Sequence, residues 1–199
     1  MTALELTPAE IVRTDGRAVL HTERLILRAP HMDDAPAVAA LINDRRIAEN
    51  TSRVPHPYTL ADAEAFIAFV QGGGERSFLV TLPDDTIVGG AGIARLRGDV
   101  PEIGYWFGVP HWGRGYATEA ARAVLDHAFM ALGYELLHAG ARVSNPASRR
   151  VLEKCGYDWT HVELHRVRAL GTSVPCDRFR LTRERWESLR DWGKLDRVA

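Results

Sequence analysis

The sequence has few cysteines and no apolar run of membrane length. Its 199 residues include two cysteines, Cys155 and Cys176, and no segment resembles the apolar core of a signal peptide. A disulfide framework of the kind that stabilises small secreted domains is therefore not indicated, and neither is a membrane-spanning protein. We expect a protein of the reducing cytoplasm.

The sequence also has no excess of positive or of negative charge. Lysine and arginine total 25 against 26 aspartates and glutamates, for a formal net charge of -1. This balance does not favour a general nucleic-acid binder or a membrane-surface binder, although a local substrate patch remains open. The length suits one ordinary domain, and no shift in composition or low-complexity linker divides the chain.

Two common phosphate loops and a metal site are not found in the sequence. No GxxxxGK[ST] run occurs, and the dinucleotide fingerprint fails because Thr118 stands where its third glycine belongs. The eight histidines show no metal-ligand spacing. His161 and His165 are four apart, but they fall in a predicted strand, where that spacing does not form the paired ligands of a helix. We expect no metal.

The most informative stretch is EIGYWFGVPHWGRGYATE at residues 102–119. Its first half predicts a strand bounded by prolines, and apolar residues at helical spacing predict a helix that begins near Gly115. Gly113 and Gly115 precede this helix, whose first N–H groups have no intrahelical partners and attract anions. Either the glycines allow a phosphate to approach the backbone, or they only provide the dihedral angles of the turn.

Four stretches resemble the GNAT superfamily of N-acetyltransferases. WGRGYATEA at residues 112–120 is similar to the acetyl-CoA pyrophosphate loop, Q/R-x-x-G-x-G/A, with Gly115 and Ala117 matching and Trp112 replacing Gln or Arg. This variant resembles the branch that contains the ribosomal-protein-alanine acetyltransferases. The other stretches are TERLILRAPHMDDA at 22–35, EIGYW at 102–106 and NPASRRVLEKCGY at 145–157. Together they span most of residues 22–186 in the family's order.

The fold class expected from periodicity and resemblance is α+β. Three antiparallel strands are predicted at residues 77–82, 86–96 and 102–109, followed by a helix and a strand at 136–143 parallel to the third. The resemblance implies the GNAT fold, a mixed, mostly antiparallel sheet of about seven strands with a splayed parallel pair, flanked by about four helices. We predict a first helix that ends near residue 46 and a loop at 47–58.

Three segments follow from this resemblance. Residues 1–21 form an N-terminal extension, a loose arm or a short extra element. Residues 22–186 form the acetyltransferase domain, and residues 187–199 form a C-terminal tail. A short amphipathic helix is predicted at residues 183–192.

The resemblance implies acetyl-CoA as co-substrate, held in the gap between the splayed strands. Phe107 and Val109 are expected to bond its pantetheine arm through their backbone, and Asn145 is expected to contact the same arm. The pyrophosphate is expected to lie among Arg114, Gly115, Tyr116, Ala117 and Thr118.

Transfer to an amine needs a base, because only the free amine attacks a thioester. Glu102 is the candidate base, acting through water, and its alternative is an ion pair with a neighbouring arginine. Ser148 is the candidate acid for the departing thiolate, as in the branch named above, and its alternative is to help a helix begin. Leu152 replaces the tyrosine that many GNAT enzymes use. Cys155 lies on an apolar helix end and is predicted to be structural.

The predicted acceptor is a protein or peptide N-terminal amine, attacking acetyl-CoA directly. The alternatives are a small amine, such as a polyamine or an aminoglycoside-like compound, and a non-catalytic acyl-CoA-binding module. Several carboxylates in the cleft would favour a polycation, and an open groove would favour a peptide. Candidate acceptor contacts, or solvated loop residues, are Asn50, Arg53, His56 and Tyr58. Homodimers are common in the family, and the sequence leaves the oligomeric state open.

Overall fold

Segments rich in β-branched, aromatic and small residues assemble into one mixed sheet. The computed structural model describes residues 10–14, 17–73, 76–97 and 100–195. Within them nine strands follow the order β1-β2-β3-β4-β5-β6-β7-β9-β8. The strands are β1 Glu10–Thr14, β2 Arg17–His21, β3 Ile26–Arg28, β4 Arg76–Thr81, β5 Ile87–Arg97, β6 Val100–Phe107, β7 Leu136–Arg142, β8 Asp158–Val167 and β9 Thr172–Thr182.

Six α-helices accompany the sheet in the same part of the chain. They are α1 Ala35–Ile42, α2 Arg45–Ala48, α3 Leu60–Gln71, α4 Tyr116–Asp126, α5 Pro146–Lys154 and α6 Arg183–Leu195. A π-helical segment, His127–Ala131, continues α4, and three-residue 3-10 turns lie at Met32–Asp34, Val109–His111 and Arg168–Leu170. Among the described helices, none is long and apolar enough to cross a membrane.

The expected α+β arrangement is confirmed. Strands β4, β5 and β6 are antiparallel neighbours, and the crossover through α4 returns the chain as β7, which runs parallel to β6. The remaining described pairs are antiparallel. The sheet has two strands more than the expected seven because β1 and β2, within the predicted N-terminal extension, extend its edge.

The core is divided between the two faces of the sheet. One cluster contains Phe78 and Val80 with residues of α4, α5 and α6, and the other contains Leu79 with residues of α1 and α3. Since alternate residues of a strand face opposite sides, neighbouring positions of β4 contribute to different clusters. The middle of the sheet is therefore covered by helices on both faces, whereas most residues of β8 are exposed.

The first helix ends earlier than predicted. Instead of continuing to residue 46, α1 ends at Ile42, and the separate short helix α2 spans the predicted boundary between helix and loop. Asn43 Oδ1 accepts the N–H of Tyr58 at 2.9 Å, and Asp44 Oδ1 accepts the N–H of Arg46 at 2.8 Å. These side chains satisfy backbone donors outside a continuous helix, so the chain turns and begins again.

The third predicted strand is also shorter at its end. β6 stops at Phe107, and Val109 begins a 3-10 turn in which its carbonyl accepts the N–H of Trp112 at 3.2 Å. Pro110 has no N–H to continue a ladder, which accounts for the early stop.

The segment boundaries at residues 21 and 186 stay predictions. The sheet includes β1 and β2 of the first segment, and α6 continues across the second boundary. Residues 1–9, 15–16 and 196–199 of the predicted terminal segments lie outside the described residues.

A substitution of Phe179 tests the core packing around β9. Its side chain is 1 % exposed, between neighbours on β7 and β8. We expect Phe179→Ala to lower the free energy of unfolding by about 3–5 kcal/mol, because it removes a buried ring and leaves a cavity. Urea denaturation followed by circular dichroism measures the change. Leu60→Ala, at a residue 47 % exposed, is the control and should cost less than about 1 kcal/mol. Equal losses in the two variants would contradict this packing.

Candidate active site

The parallel strands β6 and β7 separate soon after they meet. Their pairing covers the register positions of Glu102 and Ile103, whereas β6 stays paired with β5 as far as Phe107. The N–H of Gly108, just after the strand, still donates to a β5 carbonyl at 3.0 Å. By the alternation of an antiparallel ladder, the backbone groups of Tyr105 and Phe107 then face away from β5. They border a gap in the sheet.

Side chains of β6 alternate between the two faces at this gap. Trp106 packs against the α1 and α3 cluster, and Tyr105 packs against the cluster of α4 and α5. Glu102, an even number of positions from Trp106, shares its face. A carboxylate and a phenol three positions apart thus lie on opposite sides of the same strand.

Glu102 is held by an arginine of β9. Arg178 Nη1 and Nη2 donate to its two carboxylate oxygens at 3.1 and 2.6 Å, and both residues are buried. Arg178 Nε also lies 3.3 Å from Glu163 Oε1. The ion pair that the sequence left open for Glu102 is therefore present. Each carboxylate oxygen has a second lone pair, so the pair does not exhaust its accepting capacity.

A cleft of about 440 Å³ opens beside Glu102 and continues to the gap. Its charged lining consists of Arg53, Asp62, Glu102 and Arg168. Much of the remaining wall is apolar and comes from α1, α3 and the segment between α2 and α3, including Val38, Ile42, Val54, Pro55, Phe66 and Phe69. On the gap side, Tyr105, Gly140 and Ser148 line the same space.

The turn between β8 and β9 closes one end of the cleft. The N–H of Arg168 donates to Ser52 O at 3.0 Å, and His165 Nε2 lies 2.8 Å from Ser52 Oγ. These contacts fix the loop after α2 against the distant hairpin.

The residues predicted to contact the acceptor substrate separate into two groups. Asn50, Arg53 and Tyr58 line the cleft, whereas His56 is exposed and is not part of the described lining. Tyr58 is 8 % exposed, and burial raises the pKa of its phenol to about 12. It therefore stays protonated near neutral pH. Asn50 Nδ2 donates to Arg46 O at 2.8 Å, which stabilises the end of α2.

Asn145 and Ser148 meet at the start of α5, as their spacing predicts. Asn145 Oδ1 accepts the N–H of Ser148 at 3.1 Å, and Pro146 occupies the first helical position. Ser148 Oγ lies 3.0 Å from the hydroxyl of Tyr105, and Leu152 lines the cleft one turn further on. The cap leaves the hydroxyl of Ser148 beside the gap.

The glycine turn before α4 has the geometry of an open helix start. Gly113 and Gly115 have φ angles of 75° and 82°, which favour glycine. A Cβ on Gly113 would meet no atom within 4 Å. The N–H groups of Thr118 and Glu119 already bond to Gly115 O at 3.1 Å. The preceding N–H groups, at residues 115–117, are those that a helix start presents to an anion.

Arg24 holds this turn in place. Its Nη1 donates to Arg114 O at 3.0 Å, and its Nε and Nη2 lie 2.8 and 2.6 Å from Glu119 Oε2. The guanidinium also lies 5.1 Å from the ring centroid of Tyr116. The chain before β3 is thus tied to the helix start in three ways.

Trp112 connects the same turn to the end of β6. Its Nε1 donates to Phe107 O at 2.7 Å, and the Arg46 guanidinium lies 6.0 Å from its ring centroid. The Phe107 carbonyl accepts this bond from Trp112, and the N–H of Phe107 remains to face the gap.

The described part of the chain contains no candidate metal site. No group of three or more His, Cys, Asp and Glu side chains is placed there to hold an ion. His161 and His165 lie on β8, and His165 contacts Ser52 as described above.

Three residues of the site were not predicted. Arg178 and Arg24 act across 76 and 90 positions, and although Arg24 lies in the resembling stretch at residues 22–35, nothing in the sequence connects it to the glycine turn. Tyr105 lies within the EIGYW stretch, so the resemblance drew attention to its segment, but nothing in the sequence pairs it with Ser148.

A splayed parallel pair, an open glycine turn and a cleft with a buried carboxylate are the features of an acyltransferase of the GNAT type. The sequence model of the acetyltransferase (GNAT) domain matches residues 24–158, and the chain belongs to this family. It is therefore an acyltransferase. YnaD, an uncharacterized N-acetyltransferase of Bacillus subtilis, is 30% identical over 138 residues, 68% of this chain and 79% of that protein.

Two solved structures from Vibrio cholerae share the fold. A spermidine N-acetyltransferase in complex with CoA and spermine superposes with a TM-score of 0.72 at 20% identity, covering 83% of this chain and 99% of that one. A protein assigned as a ribosomal-protein-serine acetyltransferase gives a TM-score of 0.66 at 23% identity, covering 82% and 97%. At these identities the likeness establishes the fold and leaves the acceptor open.

Arg24→Ala tests the support of the glycine turn. We expect CoA to bind about five- to tenfold more weakly, since loss of roughly one net hydrogen bond to the turn corresponds to about 1–1.4 kcal/mol. Titration calorimetry with CoA measures the affinity. The control is Arg185→Ala on α6, which removes another half-exposed arginine, paired with Asp158 of β8. An unchanged affinity in Arg24→Ala, or an equal loss in the control, would contradict this role.

Proposed function

We propose that the enzyme moves the acetyl group of acetyl-CoA to a protein or peptide N-terminal amine. The charge of the cleft supports this acceptor over a polyamine. Two carboxylates, Asp62 and Glu102, face two guanidinium groups, Arg53 and Arg168, on its lining. Asp62 already accepts the N–H and hydroxyl of Thr59, and Glu102 is paired with Arg178. A polycation needs an excess of carboxylates, which this lining does not offer.

A small amine remains the second candidate. The specific observation in its favour is the fold shared with the spermidine N-acetyltransferase, which is a likeness of fold at 20% identity. The apolar wall of α3, with Phe66 and the half-exposed Phe69, better suits the side chain of an N-terminal residue. The resemblance to the ribosomal-protein-alanine branch points the same way.

The glycine turn and the gap suit acetyl-CoA as donor. In our proposal the pyrophosphate lies at the helix start formed by Arg114, Gly115, Tyr116, Ala117 and Thr118. Backbone of Phe107 and Val109, with the Asn145 side chain, bonds the pantetheine arm. When bound, acetyl-CoA supplies an acetyl thioester, and the open space at Gly113 leaves room for its phosphates.

Glu102 serves as the base in this scheme, through a water molecule. The amine attacks the thioester carbonyl, and its surplus proton passes through the water to the carboxylate. Arg178 fixes the orientation of the Glu102 carboxylate, and the second lone pairs of its oxygens remain for the water. Ser148, across the strand, donates a hydrogen bond to the sulfur as the carbon–sulfur bond breaks.

Direct attack is favoured over an acyl-enzyme. Cys155 is 6 % exposed, and burial raises the pKa of its thiol to about 12. A thiol of this kind is protonated near neutral pH and is a poor nucleophile. Direct attack by the amine is therefore the route that we propose.

An acceptor panel tests the function. We expect release of the CoA thiol from acetyl-CoA with peptides that have free N-termini, and little release with N-terminally blocked peptides of the same sequence, polyamines or aminoglycosides. A thiol reagent measures the rate, and mass spectrometry locates the acetyl group. Turnover confined to polyamines or aminoglycosides would overturn the proposed acceptor. No turnover on any amine, with CoA binding intact, would overturn the proposed transfer.

Glu102→Gln tests the base. We expect kcat to fall by about 10²-fold or more, as for the loss of a general base, with CoA affinity unchanged. The glutamine keeps an acceptor for Arg178, and thermal melting checks that the variant folds. Glu163→Gln removes the other carboxylate beside Arg178 and should change kcat by less than about threefold. Equal losses in both variants would assign the effect to the environment of Arg178 instead of a base.

A further inference from the structure

The hydroxyl of Tyr105 makes a contact that the proposed scheme does not yet use. It lies 3.0 Å from Ser148 Oγ and 3.3 Å from Ser148 O. Tyr105 belongs to β6 just beyond the point where β7 separates, and Ser148 belongs to the first turn of α5. Both line the end of the cleft that reaches the gap. The contact therefore joins the two elements that border the expected thioester.

The phenol of Tyr105 stays neutral in this position. Burial raises its pKa above the ordinary value, because a phenolate would be poorly solvated there. Proton release from Tyr105 is thus disfavoured. What the phenol offers is one hydrogen to donate and lone pairs to accept.

The backbone of Ser148 is already fixed, so its hydroxyl is the part free to rotate. Asn145 Oδ1 holds the Ser148 N–H at 3.1 Å. A serine hydroxyl has one hydrogen and two acceptor positions. If Tyr105 donates to Ser148 Oγ, the serine hydrogen is directed away from the phenol. The serine hydrogen then points into the cleft that Tyr105 and Ser148 both line.

We propose that Tyr105 is a positioning residue that orients the Ser148 hydroxyl toward the departing sulfur. This inference rests on the proposed function. When the carbon–sulfur bond breaks, its electron pair goes to sulfur, and the Ser148 hydrogen bond stabilises that charge. No proton leaves Tyr105. The sulfur takes its proton from solvent, and the proton of the amine goes to Glu102 as described above.

A double-mutant cycle tests this inference. Tyr105→Phe removes the hydroxyl and keeps the ring, so the packing is retained. We expect kcat to fall about tenfold, in the range of one hydrogen bond, with the KM for acetyl-CoA within about twofold. In the Ser148→Ala background, Tyr105→Phe should change kcat by less than about twofold, because its effect acts through the serine.

Tyr157→Phe is the matched control. Tyr157 is also buried against the first core cluster, and its hydroxyl has no hydrogen-bond partner among the described residues. Its removal should leave kcat unchanged. A general loss of packing would appear in both tyrosine variants, in the KM and in thermal melting, whereas a positioning role lowers kcat in Tyr105→Phe alone.

The outcomes separate the two proposals. If Ser148→Ala lowers kcat while Tyr105→Phe does not, or if the two losses multiply in the double variant, the role of Tyr105 is overturned and that of Ser148 stands. If Ser148→Ala leaves kcat unchanged, the proposed role of Ser148 fails, and with it this inference. Absence of turnover in the unsubstituted enzyme on every amine tested is a failure of the transfer itself.

Discussion

The separation of β6 from β7 is the constraint on which the site depends. Along the gap each strand stays paired on its outer side, β6 with β5 and β7 with β9, so the gap leaves few backbone groups without partners. Its closed end is fixed by the ion pair of Glu102 on β6 with Arg178 on β9, which reaches across β7. Because both partners are buried, removal of the Arg178 guanidinium would leave the Glu102 carboxylate without this partner, whereas Glu163 would still lie 3.3 Å from Arg178 if Glu102 were removed. The pair therefore connects β6 to β9 beside the two-residue ladder between β6 and β7.

The alternation of side chains along β6 places the functional groups on both faces of the sheet. Glu102 and Tyr105 are three positions apart on β6, so they face opposite sides of the sheet. One face carries the cleft between α1 and α3, where our proposal places the amine. The other carries α5, where Ser148 meets the phenol at 3.0 Å. A thioester held in the gap would have a proton acceptor on one side and a hydrogen-bond donor for its sulfur on the other.

Sequence patterns correctly predicted the structural features that depend on interactions between neighbouring residues. The strand, glycine turn and helix of residues 102–119, the cap at Asn145 and the parallel crossover depend on neighbouring residues, and the structure contains all of them. The break after α1 was missed because Asn43 bonds to Tyr58, fifteen positions away. Arg178, Arg24 and the Tyr105–Ser148 contact depend on strand register and on how α4 and α5 pack, which no spacing along the chain encodes.

The balance of charge in the cleft also bears on which amine is acetylated. With Glu102 paired to Arg178, the site gives little extra stabilisation to an ammonium ion, so the fraction of free amine in solution matters. An α-amino group with a pKa of about 7.7–8.0 is roughly one third free at pH 7.5, whereas a lysine side chain at about 10.4 is free at roughly one part in a thousand. Under the proposed function, a cleft without a strong negative field would thus favour α-amines by about two orders of magnitude before any contact with the rest of the acceptor. The apolar wall of α3 can add selectivity among N-terminal residues, but it does not have to reject lysine.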